Sequence, residues 1–246
     1  MSGIWRPPEA HWTPERERKA GAVLALLAKV AHAHPTAALA TSLQAEDAVL
    51  CDMIARTELS IDLIMLDTGR LPAETLDAKT AIEDRYGRSI TVIQPDKAEI
   101  AAWIGKNGTD GFYDSERLRH ECCALRKVRP LARALAGRTA WITGQRRDQA
   151  ASRLGLEEHE IDAVHGIEKF NPLACWRLED VWAYVRNRDV PVNALYARGY
   201  ASIGCDPCTR VIRQGENTRA GRWWWEASTD KECGLHVQAE APALGA

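Results

Sequence analysis

Seven cysteines stand at positions 51, 122, 123, 175, 205, 208 and 233, and five of them fall in stretches rich in Gly and Arg. Cys122-Cys123 and Cys205-Asp206-Pro207-Cys208 form two pairs. Four thiols in two pairs point to a metal centre, because thiolates bind zinc and iron–sulfur clusters well. A structural zinc site normally uses two separated pairs, and adjacent cysteines have difficulty aiming at one small ion. They reach different irons of a larger cluster more easily, and four thiolates match the ligand number of a 4Fe–4S cluster. Spacing favours the cluster but leaves zinc open, and equally a CxxC redox pair beside two core cysteines. Cys51 and Cys175 sit alone among apolar neighbours and read as small core residues.

The fifth clustered thiol lies in Lys231-Glu232-Cys233-Gly234-Leu235-His236. A Cys beside Gly is poorly suited to packing and well suited to be a nucleophile. The thiolate is the reactive form, and Lys231 and His236 offer the positive field that favours it. By itself the hexapeptide also fits an exposed, inert thiol. Basic residues gather next to the paired cysteines: Arg117, Arg119, Arg126, Lys127, Arg129 and Arg133 against Glu121, then Arg210, Arg213, Arg219 and Arg222 against Glu216. Such cations would offset an anionic cluster or hold a phosphate or sulfate. An ordinary solvated charged face is the competing reading, and adjacency to the cysteines weighs against it.

The elements that must position these residues alternate in type. Thr13-Pro14-Glu15 reads as a capped helix start, with the helix running to about residue 30. Short apolar strands are expected over 37–41, 61–66, 90–93 and 140–143, and helices over about 46–56, 73–86 and 122–136, the last kinked or broken at Pro130. Buried-type strands alternating with helices predict an α/β fold, a mainly parallel sheet with helices on both faces. Ligands of such sheets bind beyond the carboxyl ends of the strands. Three strands end there in polar turns: Ser42–Asp47, Asp67-Thr68-Gly69-Arg70 and Gly144-Gln145-Arg146-Arg147-Asp148. The first suggests a phosphate cradle at a helix N-terminus, but it lacks the lysine of an ATP-hydrolysing P-loop. Residues 1–199 are expected to form a nucleotide-binding α/β domain with a leading helix, and 200–246 a CxxC segment and flexible C-terminal tail. Trp223-Trp224-Trp225 reads as packing, or else as a stacking wall.

Composition sets the outer bounds. Thirty-two Lys and Arg against 34 Asp and Glu give a net charge of −2, which argues against a general nucleic-acid or membrane-surface binder. No apolar run approaches the roughly 20 residues of a membrane helix. The start Met1–Pro8 lacks the apolar core of a signal peptide, so a reducing, cytoplasmic setting without a disulfide framework is expected. No HExxH, GxSxG or GxGxxG motif supports a zinc protease, a serine hydrolase or a nicotinamide enzyme.

Assembled, the motifs resemble those of the assimilatory adenylyl-sulfate (APS) reductases, the iron–sulfur branch of the phosphoadenylyl-sulfate (PAPS) reductase family. The resemblance is carried by Ser42–Asp47, Leu66–Leu71, Cys122–Leu131, Thr143–Gln149, Gly199–Arg210, Arg219–Glu226 and Glu232–His236, in the family's order. It implies an adenine-nucleotide alpha-hydrolase-like fold and thioredoxin-dependent reduction of APS to sulfite and AMP. Cys122, Cys123, Cys205 and Cys208 would ligate a 4Fe–4S cluster, and Cys233 would attack the sulfate sulfur and become S-sulfonated. Lys127, Arg219, Arg222 and His236 would contact sulfate or phosphate, with Ser42 and the turn carrying Arg146 and Arg147 on the nucleotide. The resemblance also implies a separate thioredoxin as electron donor and an assembly of two or four subunits. Two departures bear on substrate fit: Gln44 stands where many members have Gly, and Leu71-Pro72-Ala73 lacks a His that often follows. A PAPS or dual-specificity reductase is the near alternative, and a nucleotide-binding zinc or cluster sensor without turnover the distant one.

Overall fold

The Thr13 hydroxyl accepts the backbone N–H of Arg16, Pro14 takes the first helical position, and the helix that follows, α1, runs Pro14–Ala33. The computed structural model describes residues 3–227 and 234–235. After α1 come β1 (Ala38–Thr41), α2 (Ala45–Arg56), β2 (Asp62–Leu66), α3 (Ala73–Tyr86), β3 (Thr91–Ile93) and α4 (Lys97–Asn107). The remaining elements are α5 (Glu116–Cys123), α6 (Arg129–Leu135), β4 (Ala140–Ile142), β5 (His159–Asp162), β6 (Ile167–Phe170) and α7 (Leu178–Arg188). They build one six-stranded sheet in the order β3-β2-β1-β4-β6-β5. Every neighbouring pair is parallel except β5 with β6.

Strand periodicity explains why helices cover both faces. Successive side chains of a strand point to opposite faces, and here they enter two different cores. Leu39, Leu63, Met65, Ala140 and Ile142 join the large cluster fed by α1, α2 and α7. Ala38, Ile64 and Trp141 join a smaller one closed by Leu131 and Leu135 of α6. The sheet is therefore mainly parallel and covered on both sides. β1 and β4 lie side by side while the chain between them builds outward through β2 and β3. That reversal of winding opens a crevice at their carboxyl ends.

The helix expected over 122–136 differs from the one observed. Helical backbone begins earlier, at Glu116 with Ser115 as cap, and passes through a wide π turn over Ala124–Val128 before α6. The Arg129 N–H bonds back five residues to the Ala124 carbonyl. Pro130 follows with no N–H to give, so the disturbance falls just before it instead of ending the helix. Residues 200–227 are packed: Ile203, Ile212 and Trp223 are all buried. Among the described residues no helix is long and apolar enough to cross a membrane.

Candidate functional site

A large cleft opens at the carboxyl ends of β1, β2 and β4, lined among others by Ser42, Thr68, Lys127, Gln145, Arg219 and Arg222. Its cradle is the turn from β1 into α2. Leu43 takes the strained left-handed conformation there, at φ +59°. The Ser42 N–H and hydroxyl both donate to Asp47 Oδ2 at 2.6 Å. At the start of α2, the Ala45 N–H donates to the Tyr196 hydroxyl at 2.9 Å. Burial pushes the Asp47 carboxyl up to about 6, against the Ser42 hydrogen bonds that hold it down. Gly144, after β4, approaches so closely that a side-chain carbon there would run into the Asp47 carboxylate and the Glu46 stem. Only glycine permits that contact between the two turns.

Arg146 lines the cleft as part of its wall. Its Nε and Nη2 donate to Glu46 Oε1 at 3.0 and 2.8 Å, and Gln149 Nε2 donates to the same oxygen at 3.0 Å. Burial alone would raise the Glu46 carboxyl, but the Arg146 charge and hydrogen bond hold it below its ordinary value. Arg147, expected beside the nucleotide, does not line the cleft. Its Nε donates to the Leu156 carbonyl at 2.6 Å and its Nη1 to Cys175 Sγ at 3.0 Å. Cys175 is accordingly exposed, not a core residue, because it lies in the surface turn between β6 and α7. Cys51 is fully buried.

Gln44 fastens the cradle to the loop that leads into Cys205. Its Oε1 accepts from the Ile203 N–H at 2.9 Å and the Ser202 hydroxyl at 3.3 Å. Its backbone is ordinary and extended, at φ −72°. Glycine's freedom is not needed there, and Gln44 contributes a clamp that glycine lacks. Pro72, in the other departure, precedes α3 directly with φ −59°, where a fixed φ suits a helix entry.

Cys122, Cys123, Cys205 and Cys208 line a second, small cavity together with Arg70, Phe112, Arg119, Arg126, Lys127 and Pro207. The first pair closes α5, and the π turn after it presents Arg126 and Lys127. The Arg126 guanidinium donates to the Thr68 carbonyl at 2.7 Å, and the Thr68 hydroxyl lies 3.2 Å from Cys205 Sγ. Burial pushes the Cys208 thiol up to about 11 and raises Cys122. For Cys205, burial is outweighed by Lys127, the Thr68 hydrogen bond and nearby guanidiniums, leaving its thiol below the ordinary value. Among the described residues no three His, Cys, Asp or Glu side chains are gathered to hold a single metal ion. Four thiols around one cavity, flanked by cations, suit a cluster whose ligands sit on separate irons.

Lys127 lines both cavities and so forms their shared wall. Arg222 is 5% exposed, and its Nε has no hydrogen-bond partner among the described residues. Its guanidinium lies 4.7 Å from the centre of the Trp223 ring, as does that of Arg119. It also rests on Gly204 so closely that a side-chain carbon there would collide with it. Gln145 Oε1, likewise buried at the cleft, has no partner among the described residues. Leaving a buried charged donor without an acceptor is costly, and an anionic ligand with hydrogen-bonding oxygens would satisfy the Arg222 Nε. Arg219 and Leu235 line the same cleft. Cys233 and His236, expected as nucleophile and anion contact, lie outside the described residues. Thr68 and Arg119 escaped the reading of the sequence. Thr68 stands inside the Asp67–Arg70 turn, where its type gave a weak signal, and Arg119 was visible only as one charge among six.

The fold is a mainly parallel α/β sheet covered by helices on both faces, with a cation-lined cleft at the carboxyl ends of its strands and a thiol-lined cavity behind that cleft. The chain belongs to the phosphoadenosine phosphosulfate reductase domain family, whose model matches residues 36–211. It is 49% identical over 230 residues to a Burkholderia cepacia protein named adenosine 5′-phosphosulfate reductase, covering 94% of this chain and 92% of that one. An Allochromatium vinosum protein of the same name is also 49% identical, over 93% of this chain and 88% of its own length. Among solved structures, the phosphoadenylyl-sulfate (PAPS) reductase from Candida auris in its phosphate complex superposes with a TM-score of 0.67. It is 27% identical and covers 82% of this chain and 100% of that one. Yeast FAD synthetase, at 12% identity and a TM-score of 0.57, shares the fold, with 82% of this chain and 70% of that one covered.

Proposed function

We propose that this protein reduces adenylyl sulfate to sulfite and AMP in sulfate assimilation. The observation that carries the reading is the wall shared by the two cavities. Lys127 lines both cavities, and the buried Arg222, whose Nε has no acceptor among the described residues, lines the cleft beside it. Names of relatives 49% identical over nearly the whole chain support the choice of substrate.

In this reading the cleft binds the nucleotide through the Ser42–Asp47 cradle and the Gly144–Arg146 turn. Lys127, Arg219, Arg222 and His236 neutralise the sulfate and phosphate. The Cys233 thiolate attacks the sulfate sulfur, an S–S bond forms, and the S–O bond to phosphate breaks. AMP leaves with that electron pair, its developing charge stabilised by the surrounding cations. A thiolate of thioredoxin, a separate protein, then attacks Cys233 Sγ and displaces sulfite with the S–S electron pair. The second thioredoxin thiol resolves the mixed disulfide, so two electrons pass from thioredoxin to sulfur. Cys122, Cys123, Cys205 and Cys208 would hold a 4Fe–4S cluster, which when bound supplies a compact iron–sulfur charge beside Lys127. The requirement for reduced thiols suits the cytoplasm.

Intact mass spectrometry of anaerobically purified protein, incubated once with adenylyl sulfate and no thioredoxin, tests the reading. One added SO₃ group is expected, absent in Cys233→Ser and released by reduced thioredoxin. A parallel sample with phosphoadenylyl sulfate decides the substrate, since the preferred nucleotide forms the adduct faster. No adduct from either, in protein that retains its iron, would leave a nucleotide-binding sensor without turnover.

A further inference from the structure

Gln145 stands just past β4, next to Gly144, and lines the cleft. It is 5% exposed, and its Oε1 is buried with no hydrogen-bond partner among the described residues. The chain around it is held firmly. The Gln145 N–H donates to Thr143 Oγ1 at 3.3 Å, and the Thr143 hydroxyl donates in turn to Asn171 Oδ1 at 2.5 Å. Asn171 is fully buried, and its Nδ2 donates to the Glu157 carbonyl at 2.8 Å and to Glu160 Oε1 at 3.0 Å. Folded proteins pair nearly all buried polar atoms, because an acceptor left without a donor is costly. A buried acceptor in the wall of a binding cleft is a place where a donor of the ligand belongs.

We infer that Gln145 is a specificity-determining residue, its Oε1 accepting a hydrogen bond from the nucleoside part of the ligand. This rests on the reading of the cleft as the seat of an adenylyl nucleotide. The chemistry of such a ligand divides the work of the cleft. Ionised phosphate and sulfate oxygens only accept hydrogen bonds, so they suit Arg222 Nε but cannot satisfy a carboxamide oxygen. The donors of an adenylyl sulfate are the adenine 6-amino group and the ribose 2′- and 3′-hydroxyls. Whichever of them meets Gln145 gives Oε1 the partner it lacks within the protein. A ligand without that donor leaves the oxygen buried and unpaired, and a site built around a polar partner rejects such an analogue more strongly than an apolar pocket does.

The test is titration calorimetry of the full-length, anaerobically purified protein with AMP and three analogues, each lacking one donor: purine riboside 5′-monophosphate, 2′-deoxy-AMP and 3′-deoxy-AMP. One of the three should bind the native protein about tenfold more weakly than AMP, and that analogue names the donor. Gln145→Met keeps the length of the side chain and removes the acceptor. It should bind AMP about tenfold more weakly than the native protein does, and should no longer distinguish AMP from that one analogue. Its unfolding temperature without nucleotide should be no lower than the native one, since an unpaired buried oxygen has gone. If the donor is the 3′-hydroxyl, a 3′-phosphorylated nucleotide should be rejected by the native protein and less so by the variant. Equal affinity of the native protein for all four nucleotides would overturn the proposal. So would an equal loss for all four in Gln145→Met, which would make Gln145 a packing residue of the wall. If one analogue behaves as expected but adenylyl sulfate forms no S-sulfonate, the nucleoside contact stands and the assigned reaction falls.

Discussion

Arg222 carries a full charge into a nearly buried place in the cleft wall, against an aromatic ring and a glycine backbone. Replacing a buried cation, one of whose donors lacks an acceptor, by an apolar chain of similar length removes a desolvation cost. Arg222→Met should therefore unfold at no lower a temperature than the native protein when no nucleotide is present. The same variant should bind adenylyl sulfate about 10- to 100-fold more weakly, the loss of one or two charged hydrogen bonds. Calorimetry with and without nucleotide reads both, and a large loss of stability in the free protein would contradict the account of Arg222. Asp47 makes a second prediction, through pH. Its carboxyl titrates near 6 in the folded chain, raised by burial from an ordinary value of 3.8. Between those values the folded protein holds a proton that the unfolded chain has released, so stability falls as pH rises through the window. The cost is absent below it and fully present above pH 6, on the order of 2–3 kcal/mol. Asp47→Asn keeps an acceptor for Ser42 and cannot titrate, so urea unfolding from about pH 4 to 7 should show the native protein losing ground to the variant. At the thiol cavity, Cys205→Ser should lose bound iron and activity together, as visible absorbance and iron analysis would report; full activity without iron would sink the cluster reading.

Among the elements, α2 shows how a distant residue serves the cradle. The first N–H groups of a helix have no partner within it, and the Ala45 N–H is satisfied by the hydroxyl of Tyr196, which is buried. Tyr196→Phe keeps the ring, and with it the edge contact to Trp182 at 4.9 Å between centroids, but orphans that donor. The expected cost is about 1–2 kcal/mol in urea unfolding; a neutral result would mean that the N–H finds another acceptor. The elements around the cleft were legible in the sequence because their strands are short apolar runs ending in polar turns. α3 was read with its observed bounds, and β1, β2 and β4 within a residue or two at their ends. The β5–β6 hairpin was not legible. Half of His159-Glu160-Ile161-Asp162 and Ile167-Glu168-Lys169-Phe170 is charged, and what makes them strands is pairing across the hairpin, including Lys169 Nζ with Glu160 Oε1 at 2.7 Å. The π turn was hidden for a related reason, since Pro130 announces a disturbance but does not say whether the helix breaks or widens. Of the site, residue types and spacing revealed the four thiols and the basic stretches. They could not reveal that Arg146 braces the wall, which depends on Glu46 a hundred residues back in the chain, while Arg147 turns away to the Leu156 carbonyl and Cys175.

At the scale of the molecule, the start of the described chain meets the segment that follows the CxxC loop. The Trp5 N–H donates to the Ile212 carbonyl at 2.9 Å, the Gln214 N–H donates to the Gly3 carbonyl at 2.9 Å, and Ile4 bridges Arg213 in antiparallel fashion. Nothing in the local pattern of Met1–Pro8 discloses this pairing, which joins positions some 200 residues apart in the chain. Trp5 is buried, with its ring centroid 6.2 Å from that of Tyr196, the residue that accepts from Ala45. A strap outside the 36–211 span of the family match thus supports both the segment after Cys208 and the start of α2. Removing a buried tryptophan side chain costs about 3–5 kcal/mol. For a chain of this size each kcal/mol is worth roughly 2–4 °C. Trp5→Ala should therefore lower the unfolding temperature by at least about 6 °C. It should also speed hydrogen exchange at the Gln214 amide, whose acceptor sits on the strap, more than at amides of β1 in the middle of the sheet. Equal acceleration at both would mean that Trp5 supports the whole core uniformly. Slow exchange at Gln214 alongside a lowered unfolding temperature would show that the strap holds without its anchor ring, with the 199–214 segment braced by Gln44 and by its own Ile212 N–H bond to the Gly199 carbonyl.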